Sequence, residues 1–150
     1  MKNVEKINKD AIHAIVTKAE TLLGKNIKGK TIGVFGLSFK PDTDDMRDAP
    51  SIIVINELVQ KGAHIKAYDH IAMENAKKLL PPHITYSKNA LEAATDADLV
   101  IVMTEWNEFR QLDLADLKKH MKQPNIVDGR NIYHAEKAKE IGFSYVGVGR

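Results

Sequence analysis

Six short apolar runs, each separated from the next by a stretch with helical periodicity, restrict this chain more than any other feature. The strands read as Ile32–Gly36, His64–Tyr68, Ile84–Tyr86, Leu99–Met103, Asn125–Val127 and Phe143–Val146. Helices read between them as Pro50–Lys61, Ile71–Leu80, a segment near Asn89–Ala94, Asp113–Met121 and His134–Ile141. Asp48 is the expected cap of the first of these, with Ile52, Ile55, Leu58 and Val59 facing inward and Gly62 closing it. Pro81 and Pro82 stop the second. Leu99–Met103 is apolar at every position, as a strand covered on both faces must be.

Strand–helix alternation of this kind leads to a parallel sheet, because each crossover is right-handed and lays its helix on one face. The expected fold is therefore α/β: a doubly wound, six-stranded, Rossmann-like sheet in three αβα layers. A long amphipathic helix precedes it over residues 4–23, with Val4, Ile7, Ala11, Ile15, Ala19, Leu22 and Leu23 at three- and four-residue steps and Gly24 ending it. The division expected is 1–29 for this helix and its basic linker, and 30–150 for the α/β domain.

Composition narrows the function. The 22 Lys and Arg against 20 Asp and Glu leave a net charge of +2, too little for a general claim on nucleic acid or an anionic membrane. No cysteine is present, which excludes disulfides, thiolate–zinc sites and a cysteine nucleophile supplied by these residues. No apolar run approaches the roughly 18 residues of a membrane span, and the first residues lack a signal-peptide core, so a cytoplasmic address is the expectation. The six histidines form no i, i+4 pair with an acid partner, and Ser38 lacks a nucleophile-elbow context.

Ligands of open parallel sheets sit beyond the carboxyl ends of the strands. Those ends carry Gly36–Lys40 and the loop to Asp48, then Asp69–His70, Thr104–Glu105–Trp106 and Asp128–Gly129–Arg130. The first loop is not a dinucleotide fingerprint. No glycine follows Gly36 until Gly62, and Asp69 lies 33 residues after Gly36 rather than about 20. Lys40 and Arg47 flank Asp42, Asp44, Asp45 and Asp48, and two readings stand side by side: phosphate donors, or a solvated loop whose cations pair with neighbouring aspartates. A calcium loop fails at Met46 and Arg47. A phospho-receiver would need an aspartate after the third strand and a lysine after the fifth, where Ser87–Lys88 and Asp128–Gly129–Arg130 stand. Arg130 either points a planar fork over the crevice or lies along its own helix surface, and Trp106 either packs or lines the crevice.

The run Gly36-Leu-Ser-Phe-Lys-Pro-Asp-Thr-Asp-Asp-Met-Arg-Asp-Ala-Pro-Ser51 resembles the opening of the C-terminal domain of UDP-glucose 6-dehydrogenases. Val102–Phe109, Asp128–Asn131 and Gly147–Arg150 resemble later landmarks of that family in the same order, and residues 4–24 resemble the end of its long central helix. His70 departs from the proline expected there. The resemblance implies a UDP-sugar-binding domain of an enzyme that oxidises UDP-glucose to UDP-glucuronate with NAD through a cysteine-bound intermediate. It implies Phe39, Lys40 and Arg130 on the nucleotide-sugar, Arg47 reaching an NAD held mainly by an N-terminal NAD-binding domain, and a homodimer through residues 4–24. Because the glycine loop and the cysteine are both absent here, these residues alone are expected to be inert. Two alternatives accompany this reading: a free-standing, non-catalytic nucleotide-binding or dimerisation module, and a fragment of a UDP-N-acetylmannosamine or GDP-mannose dehydrogenase.

Overall fold

In the computed structural model the described residues are 2–38, 40, 43–46 and 49–148, with side chains described from residue 10 onward. The elements run α1 (Lys2–Leu22), β1 (Thr31–Phe35), α2 (Pro50–Gln60), β2 (His64–Tyr68), α3 (Met73–Lys77), β3 (Thr85–Tyr86) and α4 (Ala90–Ala94). They continue as β4 (Leu99–Val102), α5 (Asn107–Arg110), α6 (Leu114–His120), β5 (Asn125–Asp128), α7 (Ala135–Ile141) and β6 (Ser144–Gly147). All strands are parallel, in the order β3-β2-β1-β4-β5-β6. This is the doubly wound Rossmann-like sheet expected from the sequence, and its direction reverses between β1 and β4.

Period-two alternation sorts the strand residues onto two cores. Ile32, Val34, Ile65, Leu99, Ile101 and Val127 face one layer, and Phe35, Tyr68, Val100, Val102, Ile126 and Tyr145 face the other. Leu99–Val102 is fully buried throughout, which explains its unbroken apolar run. Gly33 falls on the second face, where a Cβ would meet the Ala93 carbonyl 2.7 Å away; α4 crosses β1 that closely.

Topology explains where α1 goes. Right-handed crossovers put α2 and α3 on one face beside β1–β3, and α4, α6 and α7 on the other. The β4–β5 half of the first face is left bare by every crossover, and α1 covers it, packing on α2, β4 and β5. Its buried stripe, continued past the helix end by Leu23, is Ile12, Ile15, Val16, Ala19 and Leu23; Ile15, Ala19 and Leu23 are among the residues expected, Leu22 is partly buried against the same core, and Ala11 is exposed. Over residues 12–23 that stripe is buried within the chain's own core.

Other differences have local causes. The N-cap position of α2 is Ala49, where Pro50 at the start of the helix holds the preceding backbone extended, and Ala49 itself offers no side-chain cap bond. Asp48 itself lies outside the described residues. The helix expected over 71–80 shrinks to Met73–Lys77, since Asp69 Oδ1 accepts from the Ile71 and Ala72 amides, each at 2.8 Å, and holds them in a turn. The four-residue α5 is an addition to the expected elements, too short to show a period in the sequence. No helix among the described residues is long and apolar enough to cross a membrane.

Candidate functional site

Two buried aspartates, one on each side of the β1–β4 switch point, organise the carboxyl edge of the sheet. Asp69 follows β2 and is fully buried. Its Oδ2 accepts from the Leu37 amide at 2.8 Å, the Ser38 amide at 3.3 Å and the Trp106 indole Nε1–H at 3.3 Å. One carboxylate thus ties together the turns after β1, β2 and β4. Desolvating a carboxylate this deeply is tolerable only because donors converge on both oxygens. Asp128, at the end of β5, is buried to the same degree and accepts from the Arg130 amide at 3.2 Å, the Tyr133 amide at 2.9 Å and the Tyr145 hydroxyl at 2.7 Å.

The β1 loop is fixed further by hydroxyls. Thr104 Oγ1 donates to the Ser38 carbonyl at 2.6 Å, Ser51 Oγ to the Leu37 carbonyl at 2.5 Å, and Ser38 Oγ to the Lys40 carbonyl at 2.7 Å. Gly36 enters this loop at φ +93°, and a Cβ there would collide with Thr104. Lys40 leaves this anchored turn exposed at the rim.

Arg130 sits across the switch point on the loop after β5. It does not lie along a helix: its Nη2 donates to Glu105 Oε1 at 2.6 Å. Arg110 Nη2 lies 3.7 Å from the other oxygen of Glu105. Lys40 and Arg130 therefore occupy the same carboxyl edge of the sheet, and no hydrogen bond or ion pair joins them among the described residues. Phe39 and Arg47 lie outside the described residues.

Clefts flank this edge. Thr43, Asp45, Met46, Asn75, Lys78 and Leu79 line one of about 570 Å³ between the β1 loop and α3, where Asn75 Nδ2 donates to the Asp44 carbonyl at 3.0 Å. A smaller one of about 210 Å³ lies among His70, Trp106, Asn107 and Glu108. Beside it the Tyr68 hydroxyl donates to Glu108 at 3.0 Å. Burial, followed by this bond and the Glu108 charge, pushes the Tyr68 phenol up to about 12. Burial first and the Asp128 charge second raise the Tyr133 phenol as well.

Among the described residues the edge does not form a dinucleotide cradle. In dinucleotide-binding sheets the acid after β2 takes a ribose hydroxyl, whereas both oxygens of Asp69 are occupied by the protein's own donors. The space a glycine would open for pyrophosphate at Gly36 is filled by Thr104. Trp106 is largely buried and bonded to Asp69, and it also borders the smaller cleft.

Sequence reading placed Asp69, Glu105 and Asp128 at the edge but missed what each does. An acid that directly follows an apolar strand, with a turn after it, is the only local signal for such hubs.

Comparisons with known proteins agree with the geometry. The model of the UDP-glucose/GDP-mannose dehydrogenase family, UDP binding domain, matches residues 33–135. A UDP-glucose 6-dehydrogenase of Rhizobium meliloti is 44% identical over 96% of this chain and 33% of its own length. One of Bacillus subtilis is 43% identical over 100% of this chain and 34% of its own. A solved UDP-glucose dehydrogenase of Pyrobaculum islandicum superposes with a TM-score of 0.82 at 32% identity, over 98% of this chain and 31% of that one. The chain spans about a third of the length of the curated relatives it matches.

Proposed function

This chain belongs to the UDP-glucose/GDP-mannose dehydrogenase family, and from that premise we propose that it is the UDP-sugar-binding unit of an NAD-dependent UDP-glucose 6-dehydrogenase. The observation that carries the reading is the pair of cation-bearing loops, after β1 and β5, held by buried hubs at one sheet edge. Phe39, Lys40 and Arg130 contact the nucleotide-sugar, and Arg47 reaches toward an NAD held mainly by an N-terminal domain. Hydrogen-bonded backbone beneath cationic side chains suits a diphosphate, whose oxygens take charge-assisted bonds from an ammonium and a guanidinium fork. The sugar's oxidation is not performed here. With Asp69 engaged and no cysteine in the sequence, these residues bind and orient the UDP-sugar, and NAD supplies the hydride acceptor from elsewhere.

Calorimetric titration of the chain with UDP, UDP-glucose, GDP-mannose and NAD tests this. Binding is expected for UDP and UDP-glucose, weaker binding for GDP-mannose, and none for NAD. Lys40→Ala and Arg130→Ala should each weaken UDP-glucose by about 1–3 kcal/mol. Unchanged affinity in both variants refutes the site, and NADH formation by the chain alone refutes the division of labour.

A further inference from the structure

We infer that Glu105 is a positioning residue for Arg130, holding the guanidinium by one edge so that the other is presented to a phosphate. The inference rests on the reading of Arg130 as a UDP-sugar contact and adds the residue that sets its geometry.

Both backbones at this pair are tied down by hydrogen bonds of their neighbours. Glu105 stands between Thr104, whose hydroxyl is given to the Ser38 carbonyl, and Trp106, whose indole is given to Asp69. Arg130 follows Gly129, whose amide donates to the Val102 carbonyl at 2.9 Å and whose Cβ position lies 2.5 Å from that same oxygen. The Arg130 amide is in turn held by Asp128. Two fixed anchors 25 residues apart thus bring one Nη2–H onto one carboxylate oxygen at 2.6 Å.

The bond uses one nitrogen of a group with five donors, leaving a second edge for phosphate oxygens. Nor does it cancel the charge of the edge, because Arg110 lies 3.7 Å from the opposite oxygen and two guanidiniums share one carboxylate. The Arg130 and Glu105 side chains are 30% and 35% exposed, and pairs this accessible contribute little to folding. Orienting a long arginine before its ligand arrives does affect binding, since an unheld side chain loses its rotamer freedom on association.

The test measures UDP-glucose affinity by calorimetry, with thermal midpoints alongside, for the wild-type chain, Glu105→Ala, Glu105→Gln, Arg130→Ala and the Glu105→Ala/Arg130→Ala double variant. Glu105→Ala should raise the Kd about three- to tenfold at an unchanged thermal midpoint. Glu105→Gln retains an acceptor oxygen and should recover part of that loss. In the Arg130→Ala background, removing Glu105 should change nothing further. An unchanged or tighter Kd in Glu105→Ala overturns the inference, as does an equal loss with Arg130 already absent. In either case a weakened Arg130→Ala leaves the UDP-sugar site standing. If Arg130→Ala itself binds like wild type, the site reading falls and the inference falls with it.

Discussion

Replacing Asp69 by Asn is the most direct probe of how the candidate site is held. The carboxylate offers two acceptor oxygens, and each has at least two donors: Ile71 and Ala72 amides on Oδ1, Leu37 and Ser38 amides and the Trp106 indole on Oδ2. Asparagine keeps one oxygen and turns an NH2 toward the other set, so donors face donors in a fully buried place. Two or more protein N–H groups then lose their acceptor, at about 1–3 kcal/mol each, or about 2–6 kcal/mol together. Against a usual stability of about 5–15 kcal/mol this is a large fraction, and for a chain of this size it lowers Tm by about 5–20 °C. Urea unfolding followed by circular dichroism measures it. Trp106, the sole tryptophan of the sequence, adds a local probe, because its emission reports whether the indole has lost its partner. A loss below about 1 kcal/mol with unchanged emission would show that Asp69 does not organise the three turns.

Three further outcomes are expected. Gly36→Ala should destabilise by more than about 1 kcal/mol, through both its φ of +93° and the contact with Thr104, and a melting curve that overlays wild type refutes that account. Tyr68 ionises near 12 when folded against 10.0 when unfolded, so its contribution is intact below pH 10 and vanishes as pH rises to 12. Urea midpoints taken between these limits should therefore fall more steeply in wild type than in Tyr68→Phe; parallel slopes contradict it. Deleting residues 1–24 should bare the β4–β5 face and raise dye binding to exposed apolar surface. A compact, equally stable shortened chain would instead mean that α1 is dispensable to the core and available for pairing with a second copy.

Much of the fold was legible in the chain. Strand and helix positions follow from apolar periodicity, a local property, and the all-apolar Leu99–Val102 even announced its central, doubly covered place. Parallel order followed from the alternation and the handedness of crossovers. Legibility failed where partners are remote. The extended backbone of Ala49 at the N-cap position of α2 is no such case, since the adjacent proline ring dictates it by a rule the sequence contains. The role of Asp69 is different in kind: Leu37 is 32 residues away from it and Trp106 is 37, and nothing local foretells their convergence.

The sequence by itself determined that six strands and their crossovers would build a parallel sheet with charged turns at its carboxyl edge, since periodicity and turn chemistry act over a few residues. Only the tertiary structure decided that α1 fills the face the crossovers leave bare, that Asp69 serves the protein's own amides instead of a ribose, and that Glu105 takes hold of Arg130. Those outcomes depend on distances between segments far apart in the chain, and a buried polar group takes its function from whichever donors the fold brings to it.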